Sequence, residues 1–133
     1  MRMGPLGRGD PTLWQLEPIA GRVDAGETPA ECAIREAQEE AGLQVNHLES
    51  VCEAYPSPGC STEFFYQFVG LTDLPDDIVG IAGLETENAD IRTHLLTFDA
   101  LMELVQSKQA ANVPLLTLPY WLAFHRPRFR GLS

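Results

Sequence analysis

The stretch GETPAECAIREAQEEAGL, residues 26–43, sets three carboxylates, Glu36, Glu39 and Glu40, close together in its second half. In a helix, spacings of three and four residues return to one face, so all three fall within about 100° of one another. Like-charged neighbours each cost a few tenths of a kcal/mol, and anions toward a helix C-terminus add a similar dipole penalty. Arg35 can relieve one of them, pairing with Glu31 or Glu39 four residues away, which leaves at least two carboxylates crowded. A hard divalent cation resolves the crowding, because Mg²⁺ takes oxygen ligands and is commonly held by one or two carboxylates plus phosphate oxygens. The competing reading is a solvated acidic face, and the helix alone does not decide between them.

The elements that must position these residues are legible on either side. Thr28-Pro29-Ala30-Glu31 supplies an N-cap, a proline at the first helical position and a glutamate three residues past the cap, which is a capping box. Gly42 stands where a left-handed stop is easiest. Beside the acidic arc, Ala30, Ala33, Ile34, Ala37 and Ala41 form a second arc, so whatever packs there approaches the helix backbone closely. Upstream, 13–20 (LWQLEPIA) reads as a strand that Pro18 confines to an edge or a bulge, and GRVDAG is a Gly-bounded loop. Downstream, 43–55 reads as a strand, PSPGCST as a rigid loop, and 63–72 as an aromatic, β-branched strand. Residues 73–89 read as a long loop, a length that tends to carry function or mobility. The pattern then predicts a strand over 90–98, a helix over 99–108 and a last helix over 113–125, kinked or delayed by Pro119. Strands mixed with helices place the chain in the α/β or α+β class.

Composition narrows the function. The chain has 133 residues, 44% hydrophobic and 21% charged, as expected for one globular domain. A net charge of −10 repels nucleic-acid phosphates and anionic lipid surfaces, so neither partner is expected. The basic run HRPRFR, 125–130, reads as a solvated, fraying terminus. Cys32, Cys52 and Cys60 form no CxxC pair and leave one thiol over, which favours a reducing compartment. With no apolar leader and no apolar run of about 18 residues, the expected location is the cytoplasm. Cys32 reads as a small buried filler, since a hard-metal site does not prefer a thiol. His47, His94 and His125 lack metal-ligand spacing. Trp14, Phe64, Phe65, Tyr66 and Phe68 read as core or dimer interface rather than a base-stacking slot.

Gly21, five residues, Glu27, seven residues, then Arg35-Glu36-Ala37-x-Glu39-Glu40-x-Gly42-Leu43 reproduces the pattern G-x5-E-x7-R-E-U-x-E-E-x-G-U, and the chain thereby resembles the Nudix hydrolases. Ala37 is the one mild departure, small where a larger apolar residue is common. The resemblance implies a Nudix α/β/α sandwich with a mixed sheet, incomplete at its N-terminal side. It further implies that Glu36 and Glu40 are the principal ligands of Mg²⁺, with Mn²⁺ possible, and that Glu39 lies close by. It also implies that Arg35 orients a carboxylate and that Glu27 and the Gly21 loop shape the site.

LEPIAGRVDAGE, YPSPGCSTE and GLETENADIR are similar to the ADP-ribose pyrophosphatase branch of that family, and the chain also resembles the tellurite-resistance-associated Nudix proteins. By that likeness the Ala20 carbonyl is a further metal ligand, Glu63 faces the substrate, and Glu87 positions or deprotonates the attacking water, with Glu85 its rival. RMGPLGRGDP resembles the end of a longer N-terminal segment, so Arg2 is what remains of an arginine near the substrate phosphates, and a homodimer is expected where that segment is present. The division that follows is 1–12 remnant or linker, 13–126 Nudix domain and 127–133 tail. The implied reaction is metal-dependent hydrolysis of ADP-ribose to AMP and ribose 5-phosphate. GDP-mannose or another nucleotide sugar is the alternative substrate, and a low-turnover nucleotide-binding module the alternative role. The physics suits this: an acidic protein repels a diphosphate, so metal must supply the electrophilic clamp, and a base on a loop can close over substrate.

Overall fold

The structure, a computed structural model, describes residues 15–74 and 93–130. In chain order these hold helix α1 (Pro29–Ala41), strands β1 (His47–Ala54) and β2 (Phe65–Leu71), and helices α2 (Phe98–Gln106) and α3 (Val113–Arg130). Helices packed on an antiparallel sheet bear out the α/β class.

α1 starts and stops where its sequence dictates. The Thr28 hydroxyl oxygen accepts from the Glu31 amide at 3.1 Å while its proton goes to Glu31 Oε1 at 3.0 Å, so the cap and the third helical residue satisfy each other. Gly42 ends the helix at φ 64°, ψ 24°; its amide donates to the Gln38 carbonyl at 2.9 Å and the Leu43 amide to the Ala37 carbonyl at 3.1 Å. This left-handed conformation is nearly free for glycine and costly for a residue with a Cβ.

β1 and β2 pair antiparallel, with His47 opposite Leu71 and Ala54 opposite Phe65, and the register slips between Ser50 and Cys52. The slip leaves Val51 as the extra residue of a bulge. α1 and α3 both pack against β2, and α2 packs against α3. One buried polar group ties this arrangement together. Gln67 of β2 is buried, and its Oε1 accepts from the Cys52 thiol at 3.0 Å and the Thr117 hydroxyl at 2.8 Å. Those contacts join both strands to α3, and apolar packing continues through Val105, Ala110 and Leu115 with Leu16, Leu101 and Leu116 around them.

Several expectations are corrected. Residues 15–20 are irregular rather than a strand. Pro18 has no N–H for a ladder, and the Leu16 carbonyl is taken by the Asn112 side chain at 2.8 Å. Residues 93–97, the described part of the strand expected over 90–98, are also irregular. They lead instead into the Thr97 cap of α2, where the hydroxyl accepts from the Ala100 amide. α3 runs five residues past the expected end and continues through Pro119 and Pro127. The basic run is therefore helical. Arg128 forks onto Glu49 of β1, with Nη1 2.9 Å from Oε2, and that contact holds the Glu49 carboxyl below its usual range. Of the aromatic residues read as core or interface, Phe65 and Phe68 are half-buried, whereas Phe64 and Tyr66 are exposed, with Phe64 edge to face against both Tyr55 and Tyr66. Trp14 and most of the long loop after residue 73 lie outside the described residues.

Thr28→Ala is expected to destabilise the protein by about 1 kcal/mol, the usual cost of losing an N-cap of this kind. Urea unfolding monitored by circular dichroism measures it.

Candidate functional site

The loop before α1 is folded back onto the helix by one cation. Arg35 sits in the second turn of α1, and its side chain is only 28% exposed. Nε donates to Glu27 Oε2 at 2.8 Å and Nη2 to Glu27 Oε1 at 3.1 Å, a two-pronged pairing across the loop. Nη1 donates to Glu36 Oε1 at 2.9 Å and to Glu39 Oε2 at 3.1 Å. Nη2 also reaches the Arg22 carbonyl at 3.0 Å and stands 3.5 Å from Asp24 Oδ2. Glu39 is a partner as expected, whereas Glu31 is spent on the Thr28 cap, and Glu27 and Glu36 take its place.

Burial ranks these contacts. The side chains of Glu27 and Glu36 are each 14% exposed, whereas Glu39 is 58% exposed, so the first two pairings are the less screened by water. The Arg35 hydrogen bonds, aided by the Asp24 amide that donates to Oε1 at 3.1 Å, hold the Glu27 carboxyl down at about 2. The same Glu27 contact pushes the Arg35 pKa further up, so the guanidinium stays charged throughout the working range.

Gly21 has a steric reason to be glycine. A Cβ built there would lie 2.0 Å from Glu36 Oε1 and 2.1 Å from Cδ, because the Glu36 side chain occupies the space a side chain at 21 would need. The Ala20–Gly21 peptide therefore runs beside the acidic face of α1. Cys32 is buried as expected, yet it does more than fill space: its thiol lies 3.2 Å from the Arg22 carbonyl oxygen. Nothing in the residue pattern signals the Cys32 contact, since it joins loop to helix through space. The fixed spacing of Gly21, Glu27 and Arg35 was the only trace of the others.

The remaining candidates fall into two groups. Glu40 follows Glu39 on α1, and its carbonyl accepts from the Thr93 hydroxyl at 3.1 Å, which ties the segment entering α2 to the end of α1. Glu63 lies on the loop between β1 and β2, its amide bonded to Ser61 Oγ, and is not part of the Arg35 array. Arg2, Glu85 and Glu87 lie outside the described residues. His47, His94 and His125 take no part in the array, and His125 bonds the Trp121 carbonyl within α3.

The donor set suits a hard cation by its chemistry. Glu36, Glu39 and Glu40 offer only oxygen, and Glu36 and Glu39 each commit one oxygen to Arg35 and keep a second. Among the described residues no three His, Cys, Asp or Glu side chains stand together in a metal-holding group.

A family model described as NUDIX domain matches residues 2–118, most of the chain. The chain belongs to the Nudix family. Nudix hydrolases generally depend on divalent metal ions. Similar proteins include the ADP-ribose pyrophosphatase of Haemophilus influenzae, 43% identical over 83 residues, which covers 62% of this chain and 38% of that protein. The ADP-ribose pyrophosphatase of Escherichia coli K12 is 36% identical over 120 residues, 90% of this chain and 57% of that protein. The GDP-mannose pyrophosphatase of Yersinia pestis is 32% identical over 119 residues, 90% of this chain and 59% of that protein. The chain thus spans between about two-fifths and three-fifths of the length of these relatives.

Two outcomes follow from the Nudix array. Gly21→Ala should leave the fold intact, because the colliding atoms belong to a side chain that can turn aside, yet displace Glu36. Far-ultraviolet circular dichroism, expected unchanged, and the Glu36 carboxyl carbon resonance, expected to shift, check both halves. For Glu27, the folded pKa lies below its ordinary 4.5, so its contribution is fully present above pH 4.5 and is lost as pH falls toward 2. The stability gap between wild type and Glu27→Gln should accordingly be constant from pH 7 to 5 and narrow below 4.5, as read by urea unfolding at each pH.

Proposed function

We propose that this Nudix chain carries the catalytic unit of a divalent-metal-dependent pyrophosphatase that hydrolyses ADP-ribose to AMP and ribose 5-phosphate. The observation that carries the reading is the Arg35-centred array on α1, in a chain whose similar proteins include ADP-ribose pyrophosphatases. The GDP-mannose pyrophosphatase likeness supports a second reading, the same hydrolysis on GDP-mannose or another nucleotide sugar.

In this reading the catalytic unit is 13–126, and Glu36, Glu39, Glu40 and the Ala20 carbonyl hold Mg²⁺ or, alternatively, Mn²⁺. The bound ion supplies electrophilic polarisation of the diphosphate and a lowered pKa for water. The residues of the chain do the rest. Arg35 aligns Glu36 and Glu39 on one face and anchors the loop through Glu27, Glu63 faces the substrate, and Arg2 lies near its phosphates. Glu87 takes the proton from the attacking water, with Glu85 as its rival for that role. Water attacks phosphorus, the P–O bond of the bridge breaks, and the leaving phosphate keeps the bridging electron pair.

We also place the protein in the cytoplasm, as a homodimer where the longer N-terminal segment is present. All three cysteines are free, which suits a reducing compartment, and no described helix is long and apolar enough to cross a membrane.

The test is a panel of ADP-ribose, GDP-mannose and other nucleotide sugars with Mg²⁺, run on wild type, Glu40→Gln and Glu87→Gln. Release of AMP and ribose 5-phosphate is expected, reduced at least 10²-fold in Glu40→Gln and by at least tenfold in Glu87→Gln. Saturable nucleotide binding without release from wild type would contradict the enzyme and favour a binding module.

A further inference from the structure

Cys32 lies one turn before Glu36 on α1 and is 4% exposed. Its sulfur is 3.2 Å from the Arg22 carbonyl oxygen and 3.8 Å from that of Gly21. Arg35 Nη2 donates to the same Arg22 carbonyl at 3.0 Å and stands 3.7 Å from the sulfur. The thiol is therefore enclosed between loop carbonyls and the cation of the array. Burial first, and the Glu27 charge second, push its pKa up, so it stays an S–H donor at neutral pH.

The position of this contact matters because of what the loop touches. Gly21 has its Cα against the Glu36 side chain, with no room for one more carbon. A small lift of the Gly21–Arg22 backbone would open that contact, and a small drop would push Glu36 aside. Two tethers set the height of that stretch directly, the thiol and the guanidinium, and both end on the Arg22 carbonyl. Glu27 anchors the far end of the loop.

We infer that Cys32 is a positioning residue whose thiol, donating to the Arg22 carbonyl, fixes the height of the Ala20–Arg22 backbone over α1 and so the placement of Glu36. The consequence for catalysis rests on the metal-dependent function proposed above, whereas the clip itself does not. A side chain that only filled volume would be replaced without loss by an apolar one of similar size. A donor would not.

The experiment compares wild type with Cys32→Ser, which keeps a donor, Cys32→Val, which keeps bulk without one, and Cys32→Ala. Hydrogen exchange of the 21–27 amides is followed in metal-free protein, with the α3 amides as the internal control. Exchange in the loop should quicken about three- to tenfold in the Val and Ala variants, the range for one modest hydrogen bond, and stay within twofold of wild type in the Ser variant. Exchange in α3 should not change. In the ADP-ribose assay the half-saturating Mg²⁺ concentration should rise by a similar factor in Val and Ala, with kcat at saturating Mg²⁺ within twofold of wild type. Unchanged loop exchange in Val and Ala, loop exchange in Ser as fast as in Val, or equal acceleration in α3 would each overturn the clip. A loop shift rescued by Ser, in a protein whose wild type neither takes up metal nor hydrolyses substrate, would uphold the clip and sink the proposed function instead.

Discussion

One guanidinium decides the shape of the acidic face. Arg35 bonds Glu27 across the loop and Glu36 and Glu39 on its own helix, and lies within ion-pairing distance of Asp24. Its two-pronged pairing with Glu27 closes the segment from Gly21 to Thr28 into a loop of defined height, because the Arg22 carbonyl is drawn to the same cation. The capped start of α1 and the glycine at its end fix where Arg35 stands on the helix.

The array is also unbalanced by design of its charges. Four carboxylates face a single arginine, and Glu40 follows directly on the same helix, which has no basic residue in its last turn. One cation neutralises one of these charges and leaves the rest repelling one another at short range, where water screens least for the two most buried. A divalent cation bound at such a surface would relieve the same repulsion that Arg35 relieves only in part. The guanidinium thus serves as the structural partner, while the oxygen atoms it does not engage are the ones a hard ion would take.

Much of this was readable in the chain, and the gaps have physical causes. The N-cap, the proline at the first turn and the left-handed stop are local, so Thr28, Pro29 and Gly42 announced α1 within a residue of its ends. Both strands of the sheet were visible from their β-branched and aromatic runs, though each is shorter at its ends than expected. What failed was what depends on contacts distant in sequence. Residues 15–20 have the alternation of a strand but spend a carbonyl on Asn112, nearly a hundred positions away. The basic run near the C-terminus looked like a fraying tail because its anchor, Glu49, sits on β1. At the site, the i and i+4 rule found Glu39 but could not find Glu27, eight residues back across a loop, or the steric reason for Gly21. The family pattern carried those positions as fixed spacings without saying why, and the reasons are the guanidinium fork and the Glu36 side chain against the Gly21 Cα.

The central claim is that the carboxylates gathered around Arg35 take up a hard divalent ion. Titrating Mn²⁺ into the folded protein and following free Mn²⁺ by electron paramagnetic resonance tests it most directly, with Glu36→Gln/Glu40→Gln as the control. The account predicts saturable uptake by wild type, displaced by excess Mg²⁺ and abolished in the double variant. Uptake that is absent in wild type, or that persists undiminished when both glutamates are replaced, would contradict it.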